Sequence, residues 1–92
     1  MADRHLVSQR RTVPAERLPL YEQRWADLHV AATALGAHAW RFVSSTDPCA
    51  YLEFIEFRTD ADPRADPAVR NALRLLDARV GASAVEEWGE PK

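Results

Sequence analysis

The chain has 92 residues, of which 47% are hydrophobic, 12 are basic and 14 are acidic, for a formal net charge of −2. This length predicts one domain, 1–92, that buries only ~60–65% of its unfolded surface on folding. The near-neutral charge without a basic stripe argues against a nucleic-acid partner. The apolar stretches are far shorter than the ~20 residues of a membrane helix, which argues against a membrane protein.

A single cysteine, Cys49, rules out an internal disulfide and suits a reducing cytoplasm. The scattered histidines His5, His29 and His38 share no ligand spacing with it, so no metal is expected. The N-terminus lacks the apolar core of a signal peptide, and we therefore expect a cytoplasmic location. Without a disulfide or a metal, so small a domain is most simply stabilised by dimerisation.

The first two predicted elements are a polar strand and an amphipathic helix. Residues Leu6–Val13 are extended and are followed by Pro14, which strand interiors disfavour. The helix should begin near Leu18 and stop at Gly36. Its apolar residues recur at steps of three and four: Leu18, Tyr21, Trp25, Leu28, Ala32 and Leu35.

A hairpin follows. Strands are predicted for 38–45 and 50–59, with Asp47 and Pro48 supplying the residue types typical of the turn.

Residues 60–67 are predicted to form a polar loop that leads into a second helix. Asp66 and Pro67 are typical of a helix N-cap and first helical residue. The second apolar stripe contains Val69, Leu73, Leu76 and Val80, Gly81 ends the helix, and Ser83–Trp88 is the last strand.

The order β-α-β-β-α-β predicts a ferredoxin-like α+β fold. Right-handed crossovers would place both helices on one face of a four-stranded antiparallel sheet. The middle strands are apolar in both alternation phases, with Trp40 and Phe42 against Val43, and Phe54 against Ile55. Because the open face would then expose a large apolar patch, we expect a homodimer packed sheet to sheet.

Three segments carry a family resemblance: 36–42 (GAHAWRF), 45–48 (STDP) and 51–57 (YLEFIEF). With the element order, they resemble the dimeric α/β-barrel superfamily, which includes the antibiotic-biosynthesis monooxygenases. The resemblance implies a homodimer, but no single reaction, because the superfamily spans oxygenases, isomerases and haem degraders. Haem-binding members place a histidine on the second helix, and this helix has none. The only asparagine, Asn71, lies on that helix too, so the asparagine–tryptophan–histidine triad of the haem degraders does not carry over. We expect no cofactor.

The candidate ligand-binding residues are Gln9, Arg11, Arg41, Tyr51 and Glu53. All have odd numbers, so each strand sends its own set to one side, although agreement between strands depends on register. One register brings Arg41 beside Glu53 as an ion pair. A helix-covered face would least tolerate these side chains, because an unpaired buried charge costs several kcal/mol. The alternative is a purely structural role, as ion pairs or at the end of the sheet.

The remaining aromatic and histidine residues have simpler interpretations. Tyr21 and Trp25 lie on the helix stripe and are expected in the core. Trp40 and Trp88 could line a pocket or pack between subunits. His29 borders the stripe as a packing residue. Cys49 has no base near it in sequence, so a nucleophilic role is unsupported.

Two functions are compatible with these residues. The first is a small-molecule enzyme or binding protein with an aromatic-lined cavity between sheet and helices. It could oxidise a phenol or enol without a cofactor, with Glu53 or a histidine as base and Arg11 or Arg41 stabilising the anion. The second is a non-catalytic homodimer, a binding or interaction module. A ligand-sized cavity would favour the first.

Overall fold

The computed structural model describes residues 3–81 and 84–91 and consists of one four-stranded sheet and two helices. The strands are β1 (Arg4–Thr12), β2 (His38–Val43), β3 (Ala50–Arg58) and β4 (Val85–Gly89), and the helices are α1 (Leu18–Thr33) and α2 (Pro67–Val80). Single 3₁₀ turns at Ala15–Arg17 and Pro63–Ala65 precede α1 and α2. The predicted ferredoxin-like α+β order is therefore confirmed. None of the described helices has the length and apolar character needed to cross a bilayer.

The strands are all antiparallel and lie in the order β2-β3-β1-β4. Strand β1 begins at Arg4, two residues before its predicted start, because β3 offers a partner at each position from Arg58 to Ala50. Strand β4 was predicted from Ser83, which lies outside the described residues. It extends to Gly89, one residue further than predicted, because Gly89 pairs with His5 of β1.

Helix α1 begins at Leu18, as predicted, and its regular part ends at Thr33, two residues before the end of the apolar stripe. The chain then turns through Gly36, whose φ of +85° strains any residue with a Cβ atom. The four residues at the centre of the stripe are buried: Tyr21, Trp25, Leu28 and Ala32. Leu18 and Leu35, at its two ends, are exposed.

Helix α2 has the predicted N-cap. The Asp66 carboxylate accepts hydrogen bonds from the backbone amides of Ala68 (2.8 Å) and Val69 (3.4 Å). Such a cap contributes ~1 kcal/mol, because it satisfies amides that the first helical turn leaves unpaired. At the other end Gly81 takes a φ of +95° and its amide bonds to the carbonyl of Asp77. Val69, Ala72 and Leu76 are the buried residues of this helix.

The β2–β3 hairpin turns at Asp47, as predicted. The Asp47 carboxylate accepts from the amide of Cys49 at 2.9 Å. Strand β2 ends at Val43 rather than Ser45, because Ser44 already belongs to the turn: its Oγ accepts from the amides of Thr46 and Asp47, each at 3.2 Å.

Odd-numbered and even-numbered strand residues face opposite ways. The odd residues meet both helices, and the core lies between them: Val7, Ala39, Ile55 and Phe57 from the sheet, and the buried residues of α1 and α2. The even residues form the other face, which neither helix covers. On that face Trp40 stacks on Phe54 at 5.5 Å between ring centroids, and Phe42 and Trp88 are 58% and 52% exposed.

Candidate functional site

The register brings the five predicted site residues together on one face of the sheet. Gln9 of β1 and Arg41 of β2 both lie opposite Glu53 of β3, and Arg11 lies opposite Tyr51. This is the face that the helices cover, contrary to the expectation that such a face would least tolerate these side chains. It tolerates them because the buried charges pair with one another.

Arg11 is the centre of this pairing. Its side chain is fully buried, and Nε donates to both carboxylate oxygens of Glu53, at 2.8 and 2.9 Å. Nη1 donates to Asp77 Oδ1 at 2.8 Å and to the carbonyl of Gly81 at 2.7 Å. Arg11 therefore ties the two central strands to the end of α2, and its buried charge is paired with one buried and one half-exposed carboxylate.

The predicted ion pair between Arg41 and Glu53 is wrong. Arg41 lies opposite Glu53 in the register, yet its guanidinium pairs with Glu22 of α1. The reason is that the Glu53 carboxylate already has three hydrogen bonds, two from Arg11 and one from the hydroxyl of Tyr21. Arg41 stands on the outer strand of the sheet, where the partly exposed Glu22 is within reach.

The guanidinium of Arg41 also lies among three aromatic rings. Its Cζ is 5.0 Å from the ring centroid of Tyr21, 5.5 Å from that of Trp25 and 5.7 Å from that of Tyr51. Burial is the largest single influence on the pKa of Arg41 and lowers it, but the contacts with Glu22 and Tyr21 together outweigh burial and raise this pKa overall. Arg41 is therefore a fixed cation that caps the aromatic cluster.

Tyr21 has a polar role that the sequence interpretation missed. It is buried, as predicted, but its hydroxyl donates to Glu53 Oε2 at 2.6 Å. Burial, together with the neighbouring Glu53 carboxylate, raises the pKa of Tyr21, so the phenol keeps its proton. This role could have been predicted from the sequence, because a tyrosine on the buried stripe of a helix needs a hydrogen-bond partner for its hydroxyl on the facing sheet.

Asp77 was missed as well. It lies on α2 four residues after Leu73 of the apolar stripe, and its half-exposed carboxylate pairs with Arg11. An acidic residue next to the buried stripe could have been matched with a buried cation, but the choice of Arg11 needed the tertiary structure.

Gln9 is nine-tenths buried, and only one of the two polar atoms of its side-chain amide has a hydrogen-bond partner in the described residues. Its Oε1 accepts from Arg11 Nη2 at 3.3 Å. Its Nε2 is buried and has no hydrogen-bond partner within residues 3–81 and 84–91. Since nearly all buried polar groups in proteins are paired, this donor calls for an explanation.

A cavity of about 170 Å³, hereafter the sheet–helix cavity, lies beside this network. It is lined by Val7, Gln9, Glu53 and Ile55 of the sheet, by Trp25, Leu28, Leu73 and Asp77 of the helices, and by Arg64 and Val85. A shallower cleft of about 370 Å³ lies at the end of the strands near the hairpin, and Arg11 and Tyr51 line that cleft instead. Of the five predicted site residues, Gln9 and Glu53 line the sheet–helix cavity, Arg11 and Tyr51 line the cleft, and Arg41 lines neither.

The polar groups of the sheet–helix cavity are hydrogen-bonding groups held by the protein itself. The Glu53 carboxylate already accepts three hydrogen bonds, two from Arg11 and one from Tyr21, so a ligand can reach it only in competition with them. Of the described side chains that line the cavity, none is a histidine. His29 and His38 are exposed elsewhere. Residues 3–81 and 84–91 also contain no group of three His, Cys, Asp or Glu side chains that could hold a metal ion.

Comparison with solved structures finds the same ferredoxin-like fold in several proteins. A conserved protein of unknown function and possible oxidoreductase from Bacteroides thetaiotaomicron matches with a TM-score of 0.80 at 10% identity, over 98% of this chain and 100% of that chain. A proposed antibiotic biosynthesis monooxygenase from Caulobacter crescentus matches with a TM-score of 0.79 at 14% identity, over 99% and 92%. SnoaB, a cofactor-independent oxygenase from Streptomyces nogalater, matches with a TM-score of 0.74 at 18% identity, over 99% and 94%.

At these identities the likeness is one of fold. No protein-family model matches the chain, and no curated protein matches it in sequence. The shared fold confirms the structural part of the family resemblance, while the function must be argued from the site.

Proposed function

We propose that this protein binds a small aromatic or enolic metabolite in the sheet–helix cavity. The supporting observation is the cavity itself, which has an apolar wall that includes Trp25 and Leu28 and polar groups from Gln9 and Glu53. An apolar cavity of ~150 Å³ is enough to hold benzene. The volume of about 170 Å³ therefore suits a ligand with one ring and few substituents.

The reaction that we propose is a cofactor-free oxidation. In such a reaction the substrate supplies the electrons: an activated CH₂ group becomes a carbonyl, one atom of O₂ enters the product and the other leaves as water. The description of SnoaB as a cofactor-independent oxygenase of the same fold supports this proposal. Because three protein hydrogen bonds already occupy the Glu53 carboxylate, the substrate would have to lose its proton readily, as enols and phenols do.

A homodimer is part of the proposal. The open face of the sheet carries a contiguous aromatic patch, with Phe54 between Trp40 (5.5 Å) and Phe42 (6.0 Å) and with Trp88 half exposed. Patches of this kind mark interfaces, because water would otherwise meet a large apolar surface. A second copy packed sheet to sheet would cover it and would leave the sheet–helix cavity of each subunit on the far side of the sheet.

We also propose a cytoplasmic location, supported by Cys49, whose thiol is free. A small-molecule ligand and a second copy of the chain are then the proposed partners, and no role for a nucleic acid or a membrane is proposed.

The second candidate is a non-catalytic homodimer, a binding or interaction module. The observation in its favour is that Arg11 and Glu53 are engaged mainly with each other and with protein partners. Groups held in this way stabilise a fold without needing a substrate. Oxygen consumption distinguishes this candidate from an oxygenase. Ligand binding distinguishes a module with a small-molecule site from one that only dimerises.

The test uses phenol and benzoylacetone, both mainly uncharged at neutral pH, with the purified full chain. Binding is followed by calorimetry and turnover by an oxygen electrode. Leu73→Trp fills the cavity from α2, and Leu35→Trp adds the same ring at an exposed position as control. We expect binding to wild type and to Leu35→Trp, and loss of binding in Leu73→Trp at an unchanged melting temperature. Binding without oxygen uptake would support the non-catalytic candidate, and equal binding by both variants would contradict the assignment of the cavity.

A further inference from the structure

The contact with Arg11 determines the orientation of the Gln9 side-chain amide, that is, which branch is Oε1 and which is Nε2. A guanidinium has only N–H donors and no acceptor, so the Gln9 atom that faces Arg11 Nη2 at 3.3 Å must be the oxygen. Arg11 cannot turn away to meet a nitrogen, because Glu53 and Asp77 hold its other nitrogens at 2.8–2.9 Å. The flipped amide would set two donors against each other. The Nε2 of Gln9 is therefore the branch directed away from Arg11.

This Nε2 is a donor that lacks a partner. Gln9 is nine-tenths buried and lines the sheet–helix cavity, and its Nε2 meets no acceptor in the described part of the chain. Burying an amide donor without an acceptor is unfavourable, so the site gains free energy when an acceptor oxygen enters.

The charges around the cavity select against an anion. The buried cation Arg11 is paired with two carboxylates, Glu53 and Asp77, which leaves one net negative charge beside the cavity. Arg64, also at the cavity, is paired with two further carboxylates. A ligand carboxylate or phenolate would therefore be repelled, whereas a neutral oxygen acceptor would not.

From this arrangement we infer that Gln9 recognises the ligand, and that the ligand is a neutral single-ring compound carrying a carbonyl or ether oxygen. Gln9 Nε2 donates to that oxygen while the ring packs against Trp25 and Leu28. The inference rests on the proposed function, since it requires a ligand in the sheet–helix cavity. Beyond that function, it identifies Gln9 as the residue that recognises the ligand, and it specifies that the bound ligand is uncharged.

The experiment compares three compounds of similar size by titration calorimetry: acetophenone (neutral, with an acceptor), benzoate (anionic) and toluene (no acceptor). We expect wild type to bind acetophenone more tightly than the other two. Gln9→Met should weaken acetophenone binding roughly 3- to 10-fold, the usual worth of one hydrogen bond, and leave toluene binding unchanged. Gln23→Met, a change of the same kind at an exposed position of α1, is the control.

Two further measurements guard against a variant that fails to fold. Gln9→Glu keeps an acceptor for Arg11 but replaces the N–H donor, and it should lose acetophenone affinity as Gln9→Met does. In the wild-type chain, the side-chain NH₂ resonances of Gln9, assigned by their absence in Gln9→Glu, should shift with acetophenone and not with toluene.

Specific outcomes would overturn the inference. If toluene binds as tightly as acetophenone, or if Gln9→Met weakens the binding of both compounds equally, Gln9 does not recognise the ligand oxygen. The cavity would then still bind aromatic rings. If benzoate binds most tightly, the charge argument is wrong. If none of the three compounds binds, the inference and the proposed function fail together.

Discussion

The hydroxyl of Tyr21 on α1 donates a 2.6 Å hydrogen bond to Glu53 on β3, across the interface between helix and sheet. Because Arg11 of β1 donates to the same carboxylate, Glu53 joins one helix and two strands through a single buried group. The contribution of Glu53 to the stability of the fold can therefore be measured separately from any role in ligand binding.

The first prediction concerns this carboxylate. Glu53→Gln removes the buried one of the two carboxylates that pair with the fully buried Arg11 and should lower the free energy of unfolding by ~3–5 kcal/mol. Glu56→Gln is the matched control on the same strand, because its contact with Arg4 is a 3.7 Å surface pair that should contribute less than ~1 kcal/mol. Urea denaturation measures both values. Equal midpoints for the two variants would show that the Arg11–Glu53 pair is not a stabilising contact.

The second prediction concerns alkaline pH. The pKa of Tyr21 is raised in the folded chain above the ordinary value of roughly 10, so the folded state holds this proton longer than the unfolded state does. Its contribution to stability is complete below pH ~10 and is lost as the pH rises toward the folded pKa, by up to ~1.4 kcal/mol per pH unit. Tyr21→Phe should therefore lose less stability than wild type above pH ~10, as followed by denaturation at several pH values. Parallel curves would contradict the assignment.

The third prediction concerns the core. Trp25 is 7% exposed and packs between α1 and the sheet, so Trp25→Ala should cost ~3–5 kcal/mol. Val30→Ala removes apolar atoms from an exposed position of the same helix and should change stability by less than ~0.5 kcal/mol. A melting temperature of Trp25→Ala within a degree or two of wild type would mean that the apolar stripe does not form the core.

The fourth prediction concerns assembly. Light scattering at micromolar concentration should give twice the chain mass of 10.4 kDa. Phe42→Asp places a charge in the exposed aromatic patch and should yield monomers, while Leu35→Asp, at an exposed apolar position outside the sheet, should remain dimeric. A wild-type mass near 10.4 kDa would refute the dimer.

The fifth prediction is that the chain binds neither haem nor a stoichiometric metal. Helix α2 carries no histidine that could be an axial ligand. Titration with haem should give no shifted Soret band, and elemental analysis of the purified protein should find no equimolar metal. Either signal would overturn this expectation.

The element order, the two amphipathic stripes, the Asp66 cap and the Asp47 turn could all be predicted from the sequence. Each depends on neighbours a few residues apart: apolar spacing along a helix, a carboxylate two or three residues from the amides that it caps, a turn between two apolar strands. These local signals account for the fold and for the burial of Trp25 and Leu28.

The pairing within the site was decided by the tertiary structure. Arg11 and Glu53 are 42 residues apart, and Arg11 and Asp77 are 66 apart, so local spacing could not choose them over Arg41 and Glu53. The register across three strands brought the odd-numbered residues to one face, and the helices then covered that face. Once Arg11 and Tyr21 had satisfied Glu53, Arg41 was left to Glu22 and Gln9 Nε2 was left without an acceptor. The sequence by itself determined which polar residues the strands carry, and competition for hydrogen-bond partners in the folded interior decided what each of them does.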